Sequence, residues 1–193
     1  MFKRGELIPT EKPWLRHYPE QIPHELQFED QTLHSILQQS AQQFSEKTAI
    51  HFLGKKRTYQ QVYEEALKMA DYLLSLGMKK GDRVSIMLPN CPQAVIAYYG
   101  VLFSGGIVVQ TNPLYTEREL EHLLHDSGAT IIITLDMLYP AAYKMKALSN
   151  IRHIIATSIK DYLPFPKNLL YPIVQKKENQ MSVEINENET THL

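Results

Sequence analysis

Residues Asp82–Thr111 read DRVSIMLPNCPQAVIAYYGVLFSGGIVVQT. The opening DRVSIML is a short apolar run of strand length, too brief for a helix of ordinary size. Pro89-Asn90 breaks it, and Pro92 to Ser104 then runs almost wholly apolar. A helix apolar on all sides has no solvent face, so it belongs inside a larger body. Gly105-Gly106 ends that helix, and Ile107–Thr111 is a second strand. Strand, helix and strand in this order imply parallel strands joined by a right-handed crossover.

The same alternation continues outward in both directions. ERELEHLLHDSG (117–128) spaces Leu120, Leu123 and Leu124 along one helical face and stops at Gly128. ATIIITL (129–135) is a strand, MLYPAAYKMKAL (137–148) a helix that Pro140 interrupts or delays, and HIIATS (153–158) a last strand. On the N-terminal side, YQQVYEEALKMADYLLSLG (59–77) carries the stripe Val62, Ala66, Met69, Ala70 and Leu73. Thr58 and Gln61 fit a capping box at its start, and Gly77 fits its stop. TAIHFLGKKRTY (48–59) predicts a hairpin about Gly54-Lys55, and TLHSILQQSAQQF (32–44) a helix with Leu33, Ile36, Leu37, Ala41 and Phe44 on one face. The expected fold is a doubly wound α/β domain, a mostly parallel sheet with helices on both faces.

Three segments follow. Residues 1–31 hold Pro9, Pro13, Pro19 and Pro23 with scattered aromatics and predict an extended arm. Residues 32–158 are the α/β subdomain. Residues 159–193 pass from a Pro- and aromatic-rich stretch to a polar, acid-leaning tail expected to be mobile. No internal repeat appears.

A net charge of -1 and a pI near 6.7 give no general attraction to nucleic acid or anionic lipid. The single cysteine, Cys91, excludes an internal disulfide and points to a reducing compartment. The N-terminus has basic residues without an apolar stretch behind them, unlike a secretory signal. The most apolar run, AVIAYYGVLFSGGIVV, is broken by Gly-Gly and is shorter than a membrane span. A cytoplasmic protein is expected.

Ligands of open α/β sheets sit beyond the carboxyl ends of the strands. Those places are Leu88-Pro89-Asn90, Thr111–Thr116 and Thr134-Leu135-Asp136. The eight glycines give neither G-x-G-x-x-G nor a loop ending in Lys-Ser/Thr, so no phosphate cradle is expected. Cys91, at a helix start, is a candidate nucleophile, but no histidine neighbours it in sequence and the flanking prolines account for it structurally. Glu119, His122, His125 and Asp126 share one helix, which alone supplies too few fixed ligands for a metal; a solvated face is expected. Thr116 and Glu119 fit a second capping box, with Asn112-Pro113 shaping the approach, so the loop reads first as a well-built turn.

The ordered phrases carry more than any single motif. TYQQV (58–62) and the continuous run from LLSLGMKKGDRVSIMLPN to HDSGATIIIT resemble the N-terminal part of AMP-forming acyl-CoA synthetases, in the adenylate-forming superfamily. KGDRVSIMLPN followed by GGIVVQTNPLYTERELEH is most similar to bacterial long-chain fatty-acid–CoA ligases, as are KPWLRHYP and DYLPFPKNLLYP. The resemblance spans residues 32–158 in order. It implies a reaction in which ATP and a long-chain fatty acid, with Mg²⁺, give an acyl-adenylate and pyrophosphate; coenzyme A then takes the acyl group and AMP leaves.

The family's Gly/Thr-rich phosphate loop, its Tyr-Gly-x-Thr-Glu and Thr-Gly-Asp motifs and its C-terminal lysine are absent from this sequence. The resemblance therefore implies the leading third of such an enzyme, inactive by itself, with no catalytic residue, no metal ligand and no tightly bound cofactor. Thr111, Asn112 and Pro113 match the segment that lies toward the coenzyme A entrance. The missing remainder of the enzyme is the implied partner. Resemblance to the long-chain enzymes also allows the arm to pack on a second copy as a homodimer. Lys167, Lys176 and Lys177 among apolar residues allow a peripheral membrane contact, with internal packing the simpler expectation. Two other classes compete: a stand-alone Rossmann-like module binding a nucleotide or coenzyme A, and an oligomerisation or interaction module.

Overall fold

The computed structural model describes residues 12–26, 28–169, 171 and 190–192. The chain divides into two compact units, Met1–Gln31 and Thr32–Leu193. In the first, Pro13–His17 wind into a 3-10 helix with Pro13 at its first turn, a position that needs no proline N–H. The prolines alone predict extended chain there. Lys12 Nζ lies 3.1 Å from Glu25 Oε1, and the rings of Tyr18 and His24 meet edge to face. Pro9 falls outside the described residues.

The second unit is an α/β sandwich. Its elements are α1 (Leu33–Gln43), β1 (Thr48–Phe52), β2 (Lys55–Thr58), α2 (Tyr59–Ser75), β3 (Arg83–Met87), α3 (Pro92–Phe103), β4 (Ile107–Gln110), α4 (Glu117–Ser127), β5 (Ile131–Leu135), α5 (Tyr139–Leu148), β6 (His153–Thr157) and β7 (Thr190–His192). Five strands form one parallel sheet in the order β4-β3-β5-β6-β7. β1 and β2 make a separate antiparallel hairpin.

Alternation along the strands explains the two-sided burial. Val84, Ile86, Ile131, Ile133 and Ile155 point to one face and pack with Met69 and Leu73 of α2 and Ile96, Ala97 and Val101 of α3. Met87, Ile132, Ile154 and Ala156 point to the other and meet Leu120 and Leu124 of α4 and Ala142 and Met145 of α5. With both faces covered, these strands bury successive residues and read as continuous apolar runs. β3 leads to α3 on one face and β5 leads to α5 on the other, so the topological switch point falls between β3 and β5.

Local signals work as the sequence implies. Thr58 Oγ1 accepts from the Gln61 N–H while Gln61 Oε1 accepts from the Thr58 N–H. At the other end of α2, Gly77 takes φ +83°, Gly77 N–H donates to Leu74 O and Met78 N–H to Leu73 O, with Met78 and Leu73 in one core cluster. That pattern is a Schellman stop with its apolar contact. The delay at Pro140 is a short 3-10 turn, Asp136–Leu138, ahead of α5.

Three details differ from expectation. The hairpin turn is Leu53-Gly54, both at positive φ, with Lys55 already in β2, because a two-residue turn that follows the twist of the strands needs two left-handed residues. In α1 only Leu37 and Ala41 are buried, while Leu33 and Ile36 stay exposed, because periodicity marks an apolar face without saying how much of it a neighbour covers. Thr190–His192 add a fifth strand where the sequence predicts a polar tail; parallel backbone pairing places it beside β6.

Candidate functional site

A cleft of about 570 Å³ opens beside the carboxyl ends of β3 and β4. One wall is the hairpin segment Ile50-His51-Phe52; the floor is Leu88-Pro89-Asn90-Cys91-Pro92 running into α3; Tyr98, Tyr99 and Gln110 complete it. The loop after β3 is thus the expected ligand position that lines a cleft. Thr111–Thr116 borders it only through the preceding Gln110, and Thr134-Leu135-Asp136 does not line it.

Cys91 is the N-cap residue of α3 and is 5% exposed. Burial pushes its thiol up, against weaker opposing hydrogen bonds from the Ala94 and Gln93 backbone. A thiol held neutral is a poor nucleophile. His51, far off in sequence, is brought to the same cleft, but no hydrogen bond joins it to Cys91 among the described residues. Proline at the first turn of α3 accounts for Cys91 as part of a helix start.

The three residues of the β4–α4 loop do different work. Thr111 is 4% exposed; its hydroxyl lies 2.7 Å from Ser85 Oγ and 3.3 Å from Val109 O, stapling the end of β4 to β3. Asn112 is exposed, and its Oδ1 accepts from the Leu114 N–H at 3.0 Å, an Asx turn. Pro113 stands between them, half-buried.

α4 begins with the expected reciprocal box. Glu119 Oε2 accepts from the Thr116 N–H and from the Thr116 hydroxyl, each at 2.8 Å, and Thr116 Oγ1 accepts from the Glu119 N–H at 3.4 Å. The Thr116 backbone bond first, then the hydroxyl, holds the Glu119 carboxyl below its ordinary value. A depressed carboxyl contributes stability above its unfolded pKa, and that contribution is lost as pH falls through the folded value. The Thr116 amide resonance is therefore expected to lose its hydrogen-bonded shift on acidification, as the Glu119 carboxylate takes up a proton. Thr116→Ala keeps the backbone N–H and loses only the hydroxyl, so it should weaken that titration without abolishing it and cost about 1 kcal/mol in urea unfolding at neutral pH. His122 and His125 are exposed on the same helix, and no group of three His, Cys, Asp or Glu side chains suited to a metal occurs among the described residues.

Polar groups also sit at the carboxyl edge of the sheet, of which the sequence marks Thr134 but not Gln93 or Ser158. Gln93 Nε2 donates to Ser158 O at 2.9 Å, joining the start of α3 to the end of β6. Gln93 Oε1, Thr134 Oγ1 and Ser158 Oγ are buried without a partner among the described residues. The signal was present, since Gln93 is an amide side chain in an otherwise apolar helix.

A model of the AMP-binding enzyme family matches residues 37–192. The long-chain-fatty-acid–CoA ligase of Bacillus subtilis strain 168 is 60% identical over 169 residues, which cover 88% of this chain and 30% of that protein. The long-chain-fatty-acid–CoA ligase of Escherichia coli O157:H7 is 38% identical over 167 residues, with 86% and 30% covered. The chain thus spans about 30% of the length of these curated relatives. Among solved structures, the anthranilate CoA ligase AuaEII in complex with anthranoyl-AMP superposes with a TM-score of 0.61 at 26% identity, over 70% of this chain and 26% of that one. A long-chain-fatty-acid-CoA ligase from Archaeoglobus fulgidus superposes with a TM-score of 0.63 at 24% identity, over 86% and 35%, which supports the fold alone.

Proposed function

The chain belongs to the AMP-binding enzyme family, and from that premise we propose that it is the N-terminal segment of a long-chain fatty-acid–CoA ligase. The carrying observation is the 60% identity to the Bacillus subtilis ligase across 88% of the chain. In the reaction of the whole enzyme, a fatty-acid carboxylate oxygen attacks the α-phosphorus of ATP and pyrophosphate leaves. The coenzyme A sulfur then attacks the acyl carbon, the bond to the AMP oxygen breaks, and the thiol proton passes to solvent or base.

The described residues do not fit ATP or Mg²⁺: they include no glycine-rich phosphate loop and no cluster of carboxylates at metal-binding spacing. No step of the chemistry is therefore routed through this chain. Its contribution is a scaffold. The α/β sheet fixes the Thr111-Asn112-Pro113 turn, which we assign to the coenzyme A entrance side: Thr111 anchors the turn inward and Asn112 sets its outer surface. The segment after β6 leaves Phe165 and Leu169 exposed beside Lys167, which supports a peripheral membrane contact; Lys176 and Lys177 fall outside the described residues. Among the described residues no helix is long and apolar enough to cross a membrane.

Calorimetry of the 193-residue chain with ATP, AMP and coenzyme A tests the scaffold reading. No micromolar binding of any of the three is expected. A micromolar, saturable isotherm would replace it with the stand-alone binding module.

A further inference from the structure

Among the described residues the hairpin that walls the cleft belongs to no larger sheet, and an isolated two-stranded hairpin is marginal in water. Something must hold it. Ala49 and Ile50 pack beside α1 and α2, and Phe52 against the main core. The remaining attachment reaches the segment just after β6, 106 residues away in sequence. Tyr162 stands at its centre.

The Tyr162 hydroxyl donates to Glu65 Oε2 at 2.9 Å. Arg57 Nε lies 3.1 Å from Glu65 Oε1, close enough for an ion pair though not aligned as a hydrogen bond. The Arg57 guanidinium carbon sits 5.1 Å from the Tyr162 ring centroid and Lys55 Nζ 5.6 Å from it, so one ring serves two cations of β2. Lys55 Nζ also donates to Asp161 O at 2.7 Å. Burial, and then the Glu65 carboxylate, push the Tyr162 phenol up, so it remains a donor. The segment that carries Tyr162 is itself fixed, because Gln93 holds Ser158 O to α3.

We propose that Lys55, Arg57, Glu65 and Tyr162 form a latch, and that the β1–β2 hairpin is the movable wall of the Cys91 cleft that this latch keeps closed. Tyr162 is a positioning residue: it acts on the cleft through the hairpin and does not line it. Tyr162 also packs against the core cluster beneath α2 and α3, but no member of the latch belongs to β3, β4, β5 or β6, so releasing it is expected to leave the parallel ladder paired. The hairpin then parts from the α3 start and exposes the thiol.

The single cysteine reports the motion. The 193-residue chain is treated with a chromogenic disulfide reagent, and Cys91 labelling is timed across a low-urea series, with hydrogen exchange measured alongside. Tyr162→Ala should raise the labelling rate about ten-fold or more, with little urea dependence, the mark of local rather than global opening. Exchange protection should fall in β1 and β2 and persist in β5. Tyr162→Phe, which keeps the ring and loses the hydroxyl, should fall between Tyr162→Ala and the parent chain. Leu124→Ala, on the opposite face of the sheet, should accelerate labelling only through urea-dependent global unfolding. Labelling of Tyr162→Ala at the parent rate, or an acceleration that tracks urea as Leu124→Ala does, overturns the latch. Should Tyr162→Ala not fold, Tyr162→Phe decides alone: parent-rate labelling or evenly lost protection overturns the proposal.

Discussion

Ile133→Ala and Ile132→Ala are each expected to destabilise the fold by about 2–5 kcal/mol, although their side chains point in opposite directions. Both are 0% exposed, on neighbouring positions of β5. Ile133 packs among the residues under α2 and α3, Ile132 among those under α4 and α5. In a sheet with one wet face, one of a neighbouring pair would be tolerant. Here both truncations leave a void between strand and helix that the parallel ladder cannot collapse to fill. Urea unfolding followed by far-UV circular dichroism measures the loss. A cost below about 1 kcal/mol at either position would mean that its face of the sheet is not covered by helices.

Gly100 is the second sensitive point. In the middle of α3, alanine would ordinarily improve a helix by about 0.5–1 kcal/mol relative to glycine. A Cβ at this position would lie 2.7 Å from Met69 Cβ and 3.2 Å from Ala66 O, and nearer still to Met69 Cγ. Met69 is buried, and its Cβ cannot move without its helix, so α2 and α3 must part along their shared seam. The clash outweighs the propensity gain. Gly100→Ala is expected to lose about 1–3 kcal/mol, and Gly100→Leu to prevent folding. An unchanged or raised melting temperature for Gly100→Ala would show that α2 and α3 do not approach this closely.

Much of the α/β unit could be read from Thr58–Ser158 because its determinants are local. Apolar runs of strand length, glycine stops at 77 and 128 and the boxes at Thr58–Gln61 and Thr116–Glu119 each act within a few residues. What escaped depends on distant partners. β7 is polar and exists through pairing with β6. Leu33 and Ile36 have the spacing of a buried face, yet no neighbour buries them among the described residues. The cleft joins Ile50–Phe52 to Leu88–Pro92, a closure that no window of sequence contains. Tyr162 is one aromatic in a Pro- and aromatic-rich stretch, and only the fold brings Arg57, Lys55 and Glu65 to it. In the β4–α4 loop, the expectation of a well-built turn is met by the Asx and capping geometry, and the sequence could not reveal that Thr111 turns inward to Ser85.

We propose this chain as the scaffold segment of a fatty-acid–CoA ligase whose chemistry resides elsewhere in the enzyme. It is tested by fusing residues 1–192 to the part of the Bacillus subtilis ligase that follows its matched region, then assaying AMP release with palmitate, ATP, Mg²⁺ and coenzyme A. The fusion is expected to form palmitoyl-CoA at a rate within about ten-fold of the intact ligase, a barrier difference of about 1.4 kcal/mol, and the 193-residue chain to form none. An inactive but folded fusion, or palmitoyl-adenylate made by the chain alone, would overturn the scaffold assignment.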